Sequence, residues 1–303
     1  MNRLMAVIFV ALLCVASASC QGGRAVPEKG AGSWDVPAKG LPSGGRQGAA
    51  PAVPLEGQQV AQLPASARSA GLSPDLERLQ RVFASLSRRT RDGIVNGSPE
   101  EFLADLHRVL AADTQDLLTL VDKQHYLAAD FVPADIVALK PNDFYLLNRN
   151  DLSLRTPVEA GLRRMAAAAK KEGINLVVSS TYRSYDYQKN LYERNVRQLG
   201  KEVADRESAP PGASQHQLGV AVDFGSITDE FAQTKQGRWL AANAGTYGWS
   251  LSFPDGYEDV TGYRWECWHY RYIGVEAVEF QRKWFSDVQQ FMLEFIHAWR
   301  TVQ

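Results

Sequence analysis

Residues 214–224 read SQHQLGVAVDF, and residues 266–270 read ECWHY. In the first run Val220, Val222 and Phe224 alternate along an extended segment, the period of a half-buried strand, and Asp223 is its single charge. A carboxylate set between Val222 and Phe224 is costly to bury unless something positive satisfies it. A metal ion would do so, and His216 stands just ahead on a Gly-containing turn. The second run supplies Glu266 and His269, again beside a predicted strand.

Three arrangements fit these residues. Zinc takes imidazole nitrogen and carboxylate oxygen, and a catalytic site holds it with three protein ligands and an open fourth position. His216, Asp223 and His269 can be those ligands, with Glu266 held off the metal as the base that takes a proton from water. In a regular strand, however, residues i and i+3 point to opposite faces, so Glu266 and His269 share a pocket only if the chain bends or bulges between them. Strict alternation instead pairs Cys267 with His269, giving a closed structural site of His216, Asp223, His269 and Cys267. The third arrangement is an ordinary sheet without metal.

The surrounding chain has 303 residues with a formal net charge of -1, from 33 basic and 34 acidic side chains. That balance writes in no general attraction to nucleic acid or to anionic lipid, so a partner has to be read from a site. Arg3, the apolar run Leu4 to Val15 and the small residues after it predict an export signal over 1–20. The run is shorter than the ~20 apolar residues a membrane span needs. Ala16-Ser17-Ala18 suits cleavage before Ser19. Ser17-Ala18-Ser19-Cys20 instead resembles a bacterial lipobox, with Ser17 where a large aliphatic residue is usual, and would attach the protein to the membrane through a lipid on Cys20. Cys14 leaves with the signal, and Cys20 and Cys267 make a poor disulfide pair, so the core is expected to stand without disulfides.

Residues 21–70 are rich in Gly, Pro, Ala, Ser and Gln without apolar periodicity and read as a disordered tether, with a typical span of roughly 40 Å. Ser73-Pro74 opens a helix facing inward with Leu76, Leu79, Val82, Phe83 and Leu86. Asn96-Gly97 breaks it, and Ser98-Pro99-Glu100-Glu101 is a capping box for a second helix. Together they predict a helical hairpin over 71–115. His107 on the second helix has no second ligand type at i+4 and reads as a surface residue.

Over 116–303 the pattern is α+β. Thr156-Pro157-Val158-Glu159 reads as a capping box for a helix to Lys171, and a helix is expected over 185–199 and another around 238–244. Strands are expected over 175–180, 219–224, 249–253 and 264–273. Val275 to Val302 reads as one long terminal helix whose stripe of Trp284, Phe285, Val288, Phe291, Met292, Phe295, Ile296 and Trp299 is packing surface, with His297 beside it.

Ser214-Gln215-His216-Gln217-Leu218-Gly219-Val220-Ala221-Val222-Asp223 fits the pattern S-x-H-x-x-G-x-A-x-D, and Glu266-Cys267-Trp268-His269 fits E-x-W-H. With these, Lys123-Gln124-His125 followed by Phe131-Val132-Pro133, Ser180-Thr181-Tyr182-Arg183-Ser184 with Gln188, and Tyr270-Arg271-Tyr272-Ile273-Gly274 stand in order along the chain. In these five motifs the sequence resembles the zinc D-alanyl-D-alanine carboxypeptidases of the VanY type, from about Leu117 to Val278. The resemblance implies a small central antiparallel sheet flanked by helices, zinc on His216, Asp223 and His269, Glu266 as general base and Arg183 as an active-site residue. It gives Cys267 no ligand role and His125 no chemistry. Ser214 and Gln188 would assist binding of a peptide's C-terminal end.

The implied activity is removal of the terminal D-alanine from peptidoglycan stem peptides. The close alternative is an L,D-carboxypeptidase acting on tetrapeptide stems. From another class comes a non-catalytic peptidoglycan-binding lipoprotein, which would have no need of Glu266.

Overall fold

Ser73 accepts a hydrogen bond from the Leu76 amide and Pro74 follows it, so α1 (Pro74–Ser85) starts where the sequence places it. The computed structural model describes residues 73–302. The expected export signal, the tether and Cys20 lie outside the described residues. After α1 come α2 (Arg88–Asp92) and α3 (Pro99–Ala112). Ser98 caps α3 by accepting from the Glu101 amide at 3.2 Å. The return half of the capping box is absent, because the Glu101 carboxylate takes the Lys283 ammonium at 2.5 Å instead.

The mixed part follows in the order β1 (Ile136–Ala138), β2 (Leu146–Leu147), β3 (Ser153–Arg155), α4 (Thr156–Lys171), β4 (Val177–Ser180), α5 (Tyr185–Leu199) and α6 (Lys201–Glu207). It continues through β5 (Ala221–Phe224), α7 (Lys235–Asn243), β6 (Trp249–Leu251), α8 (Glu258–Thr261), β7 (His269–Tyr272), α9 (Val275–Trp284) and α10 (Gln289–Thr301). No capping box opens α4: Arg155 occupies the cap without a side-chain bond, the Thr156 hydroxyl donates to the Asp135 carbonyl, and Glu159 accepts from Tyr145.

The central sheet has the order β2-β4-β5-β7-β6, and β1 pairs with β3 in a separate two-stranded sheet. The sheet is not wholly antiparallel as expected. Its edge strand β2 runs parallel to β4, which the α4 crossover permits. The other three pairings are antiparallel. Val220, Val222 and Phe224 do point into the core, against Val158, Leu162, Met165 and Ala166 of α4.

A second core lies among α1, α3, α9 and α10. The two N-terminal helices touch through the Phe83 and Phe102 rings, but α1 packs mainly along α10 and α3 along α9, so they do not form a self-contained hairpin. The single terminal helix expected from Val275 is two. Ser286 and Asp287 take positive φ of 53° and 58°, which no α-helix tolerates, and this break lets both α9 and α10 turn apolar faces toward the N-terminal helices. The stripe from Trp284 to Trp299 is buried packing surface, as its spacing predicts. No helix among the described residues is long and apolar enough to cross a membrane.

Phe102 is the hub of the second core, its ring centroid lying 5.0–6.0 Å from those of Phe280, Trp284, Phe285 and Phe295. Phe102→Ala is expected to destabilise the fold by about 3–5 kcal/mol, read as a lowered midpoint in urea unfolding.

Candidate metal centre

Neighbouring strands set out the site. Asp223 on β5 sits directly opposite His269 on β7, so their side chains leave the same face of the sheet. On the other side of β5 the register shifts between Val178 and Ser180, and this irregularity brings Ser180 opposite Asp223. His216 comes from a 3₁₀ turn, Gln215–Leu218, capped by the Ser214 hydroxyl, which accepts from the His216 amide at 3.3 Å. Gly219 ends the turn at φ 69°, where a Cβ would lie 2.7 Å from Ile136 and 2.9 Å from Arg155.

The strand expected over 264–273 starts only at His269. Cys267 and Trp268 form a tight turn, closed by a 3.1 Å bond from the His269 amide to the Glu266 carbonyl. This turn, rather than a bulge, brings residues i and i+3 to one side, and Glu266 Oε2 lies 3.5 Å from His269 Nδ1. Cys267 points away, its Sγ 3.6 Å from the Thr228 carbonyl oxygen and 3.7 Å from that of Asp229. A closed four-ligand site including Cys267 is therefore not formed.

His216 Nδ1 lies 2.7 Å from the Thr181 carbonyl, which can only accept, so the proton sits on Nδ1 and Nε2 presents a lone pair. His269 Nε2 lies 3.3 Å from Gln215 Oε1 and donates to it, so Nδ1 presents the lone pair there. His216 Nε2 is 3.2 Å from Asp223 Oδ2, and His269 Nδ1 is 3.1 Å from Asp223 Oδ1. Ligand atoms of these three buried residues all lie within 4.8 Å of one another. His216 Nε2 and Asp223 Oδ1 are buried without a hydrogen-bond partner. Converging lone pairs with nothing to donate to them repel unless a cation stands among them, and this donor set can hold a metal ion.

Arg183 supplies one positive charge. Its Nη2 donates to Asp223 Oδ2 at 2.6 Å and its Nε to Ser180 Oγ at 2.9 Å. Burial pushes the His216 pKa down to about 4, with the Arg183 charge acting in the same direction. Burial would raise Asp223, but the charge on His216 in its protonated form and the Arg183 guanidinium outweigh it and hold the carboxyl well below its usual range; with His216 neutral, Arg183 alone does this. Burial, then the Asp223 charge, lift Glu266 well above the ordinary glutamate range.

Two other residues singled out in the sequence are turned inward. Gln188 is buried and donates to the Ala209 carbonyl at 2.7 Å, with its Oε1 3.5 Å from Arg183 Nη1, and Ser214 is spent on capping the His216 turn. Gln215 and the Thr181 carbonyl, which hold the outer nitrogens of the two histidines, were not marked by the sequence. Both lie within quoted motifs, but a backbone acceptor carries no side-chain signature. The remaining histidines stand apart: His107 is half exposed beside Asp75, and His125 pairs with Asp122 and packs on His297 at 4.7 Å.

The family profile described as "VanY: D-alanyl-D-alanine carboxypeptidase" matches residues 151–275. YodJ of Bacillus subtilis (strain 168), classed by name as a carboxypeptidase, is 33% identical over 189 residues, covering 59% of this chain and 69% of YodJ. The chain belongs to the VanY family. Another relative, the D-alanyl-D-alanine carboxypeptidase of Enterococcus faecium, is 30% identical over 167 residues, 53% of this chain and 52% of its own. The solved structure of the LdcB LD-carboxypeptidase, described as revealing the molecular basis of peptidoglycan recognition, matches with a TM-score of 0.54 at 32% identity, covering 60% of this chain and 86% of LdcB. His216, Asp223, Glu266 and His269 fall inside the VanY match, whereas α1, α2, α3 and α10 fall outside it.

The raised Glu266 fixes a pH dependence for the metal-free VanY-family chain. Its folded pKa exceeds the unfolded value near 4.5, so between the two this carboxyl takes up a proton on folding and its own contribution to stability falls as pH rises, opposite in sign to that of His216. Glu266→Gln should remove that slope. The metal-free variant is expected to unfold at a higher temperature than the parent at pH 7, with the gap closing toward pH 4, measured by thermal unfolding in chelator.

Proposed function

We propose that this VanY-family chain is a zinc-dependent carboxypeptidase that removes the C-terminal D-alanine from peptidoglycan stem peptides. The observation that carries the reading is the convergence of His216 Nε2, Asp223 and His269 Nδ1 with a buried carboxyl, Glu266, beside them. His216 Nε2 lies 3.2 Å from one Asp223 oxygen and His269 Nδ1 3.1 Å from the other, and ligand atoms of the three residues lie within 4.8 Å of one another, near enough to share one ion. Two imidazoles and one carboxylate leave a coordination position open, the pattern of catalytic rather than structural zinc.

A zinc ion bound there supplies a Lewis acid that acidifies a water molecule and polarises the scissile carbonyl. Glu266 takes the proton of the attacking water and returns it to the leaving amine of D-alanine. Its high pKa belongs to the metal-free protein, and a cation on the triad draws it down into the range of a base. Arg183 holds Asp223 in place through Nη2 and, with a side chain 17% exposed against 3% for Asp223, also steadies negative charge developing on the scissile carbonyl. Gln188 and Ser214 serve the peptide's C-terminal end indirectly, by holding Arg183 and the His216 turn. A substrate of this class places the protein in the cell envelope, exported through residues 1–20, with a lipid on Cys20 as a separate expectation.

The likeness to LdcB favours a second reading, an L,D-carboxypeptidase, since the same donor set serves both bonds and pocket shape selects between them. Incubation with defined pentapeptide and tetrapeptide stems, followed by mass measurement of the products, separates the two. Loss of one D-alanine from the pentapeptide alone marks the D,D activity, and shortening of the tetrapeptide marks the L,D activity. Glu266→Ala is expected to bind zinc stoichiometrically and to lose at least about 10²-fold in turnover. Full turnover in that variant overturns the assignment of the base.

A further inference from the structure

A buried polar layer runs outward from His269 to the break between α9 and α10. Gln215 Oε1 accepts from His269 Nε2 at 3.3 Å and from the Ser252 hydroxyl at 2.7 Å, while Gln215 Nε2 donates to Gln289 Oε1 at 3.3 Å. Gln289 Nε2 in turn donates to the Ser250 carbonyl at 3.4 Å. All four side chains are buried among groups that water does not reach, so each amide has to find its partner within the protein.

The direction of this chain is set at its far end. A backbone carbonyl only accepts, so the Ser250 carbonyl requires the NH₂ of Gln289 and turns the Gln289 oxygen toward Gln215. That oxygen lies 3.4 Å from the Ser252 hydroxyl and 3.3 Å from the Gln215 amide; with the Ser252 proton spent on Gln215 Oε1 at 2.7 Å, it takes the NH₂ of Gln215, which turns the Gln215 oxygen toward His269. An acceptor at Nε2 places the ring proton there. His269 Nδ1, the nitrogen nearest Asp223 and Glu266, is left with its lone pair.

Gln289 can reach this layer because the terminal helix is broken. It is the first residue of α10, two positions after Asp287 of the positive-φ pair, and it lies beyond the VanY match, which ends at 275. The break is itself held by the layer. Gln281 accepts from the Ser250 hydroxyl at 2.8 Å and donates to the Asp287 carbonyl at 3.1 Å.

We propose that Gln289 is a positioning residue for the metal centre: acting through Gln215, it fixes the His269 proton on Nε2 and presents Nδ1 to the metal. The inference rests on the reading of His216, Asp223 and His269 as metal ligands. Outer partners of this kind typically change metal affinity by about 10–100-fold when removed.

The test uses the whole chain labelled at histidine nitrogen, with Gln289→Met, Gln215→Met and Gln215→Glu, each checked for folding by circular dichroism. Long-range proton-nitrogen NMR of the metal-free proteins reads the His269 tautomer, and competition with a fluorescent chelator reads zinc affinity. The parent should show the Nε2–H form alone, and Gln215→Glu, which keeps an acceptor toward Nε2, should retain the proton on Nε2. The two methionine variants should show both tautomers and bind zinc about 10-fold or more weakly. Retention of the Nε2–H form and of parental zinc affinity in both methionine variants overturns the proposal. If either methionine variant fails to fold, the other decides by the same readings. A parent protein that binds no zinc would sink the metal reading, while the tautomer comparison in metal-free protein would still decide whether Gln289 orients the ring.

Discussion

The structure turns on one buried carboxylate. Asp223 sits in the middle of the central sheet, flanked in sequence by two fully buried apolar side chains, where an unpaired charge would cost several kcal/mol. What surrounds it meets that cost only in part, through Arg183, and sets two histidines where a metal would join them to it. Strand pairing puts His269 opposite, the register shift in β4 puts Ser180 and through it Arg183 alongside, and the left-handed turn at Gly219 swings His216 over it. Arg183 satisfies one carboxylate oxygen and leaves the other without a hydrogen-bond donor, facing His269. The incomplete satisfaction is what gives the proposed metal its place.

The two cores divide the work of holding that arrangement. The first, on the far face of the sheet, fixes strand order and register through Val222, Phe224, Tyr270 and the α4 face. The second joins α1 and α3 to α9 and α10 and so fixes where α10 begins. Between the sheet and α10 the protein keeps glutamines and serines instead of apolar residues. Each is hydrogen-bonded to the next, and a layer satisfied in this way specifies side-chain orientation more sharply than apolar packing does.

Much of the site was legible because its residue types are few and tightly spaced. His216, Asp223 and His269 could be proposed from the chemistry of a charge in an apolar strand, and the motifs around them named the family. The helices capped by Ser73, Ser98 and Ser184 also begin where the sequence puts them, although the first ends at Ser85, short of the break expected at Asn96-Gly97. The misreadings share a cause: a periodic pattern continues in sequence across a point where the backbone turns. The aromatic stripe runs unbroken through Ser286 and Asp287, neither of which is a glycine or proline, so nothing in the pattern marks the break. Alternation over 264–273 likewise concealed the turn at Cys267-Trp268. The parallel edge strand β2 is two residues long, too short for periodicity to register. Gln215 escaped notice because its role depends on a partner 74 positions away.

The break at Ser286 and Asp287 also bears on how such a chain can be divided. The family profile ends at 275, the first residue of α9, yet Gly93 and Gly97 are pressed so closely against Phe291 and Trp284 that a Cβ at either glycine would lie 2.3 or 2.4 Å from the ring. Helices before and after the profile match thus close over each other around a segment that the profile alone would excise. A fragment cut at the limits of the profile would leave behind Gln289, which backs Gln215, and the whole aromatic core with it. Here the stretch the family profile describes and the unit that folds have different edges.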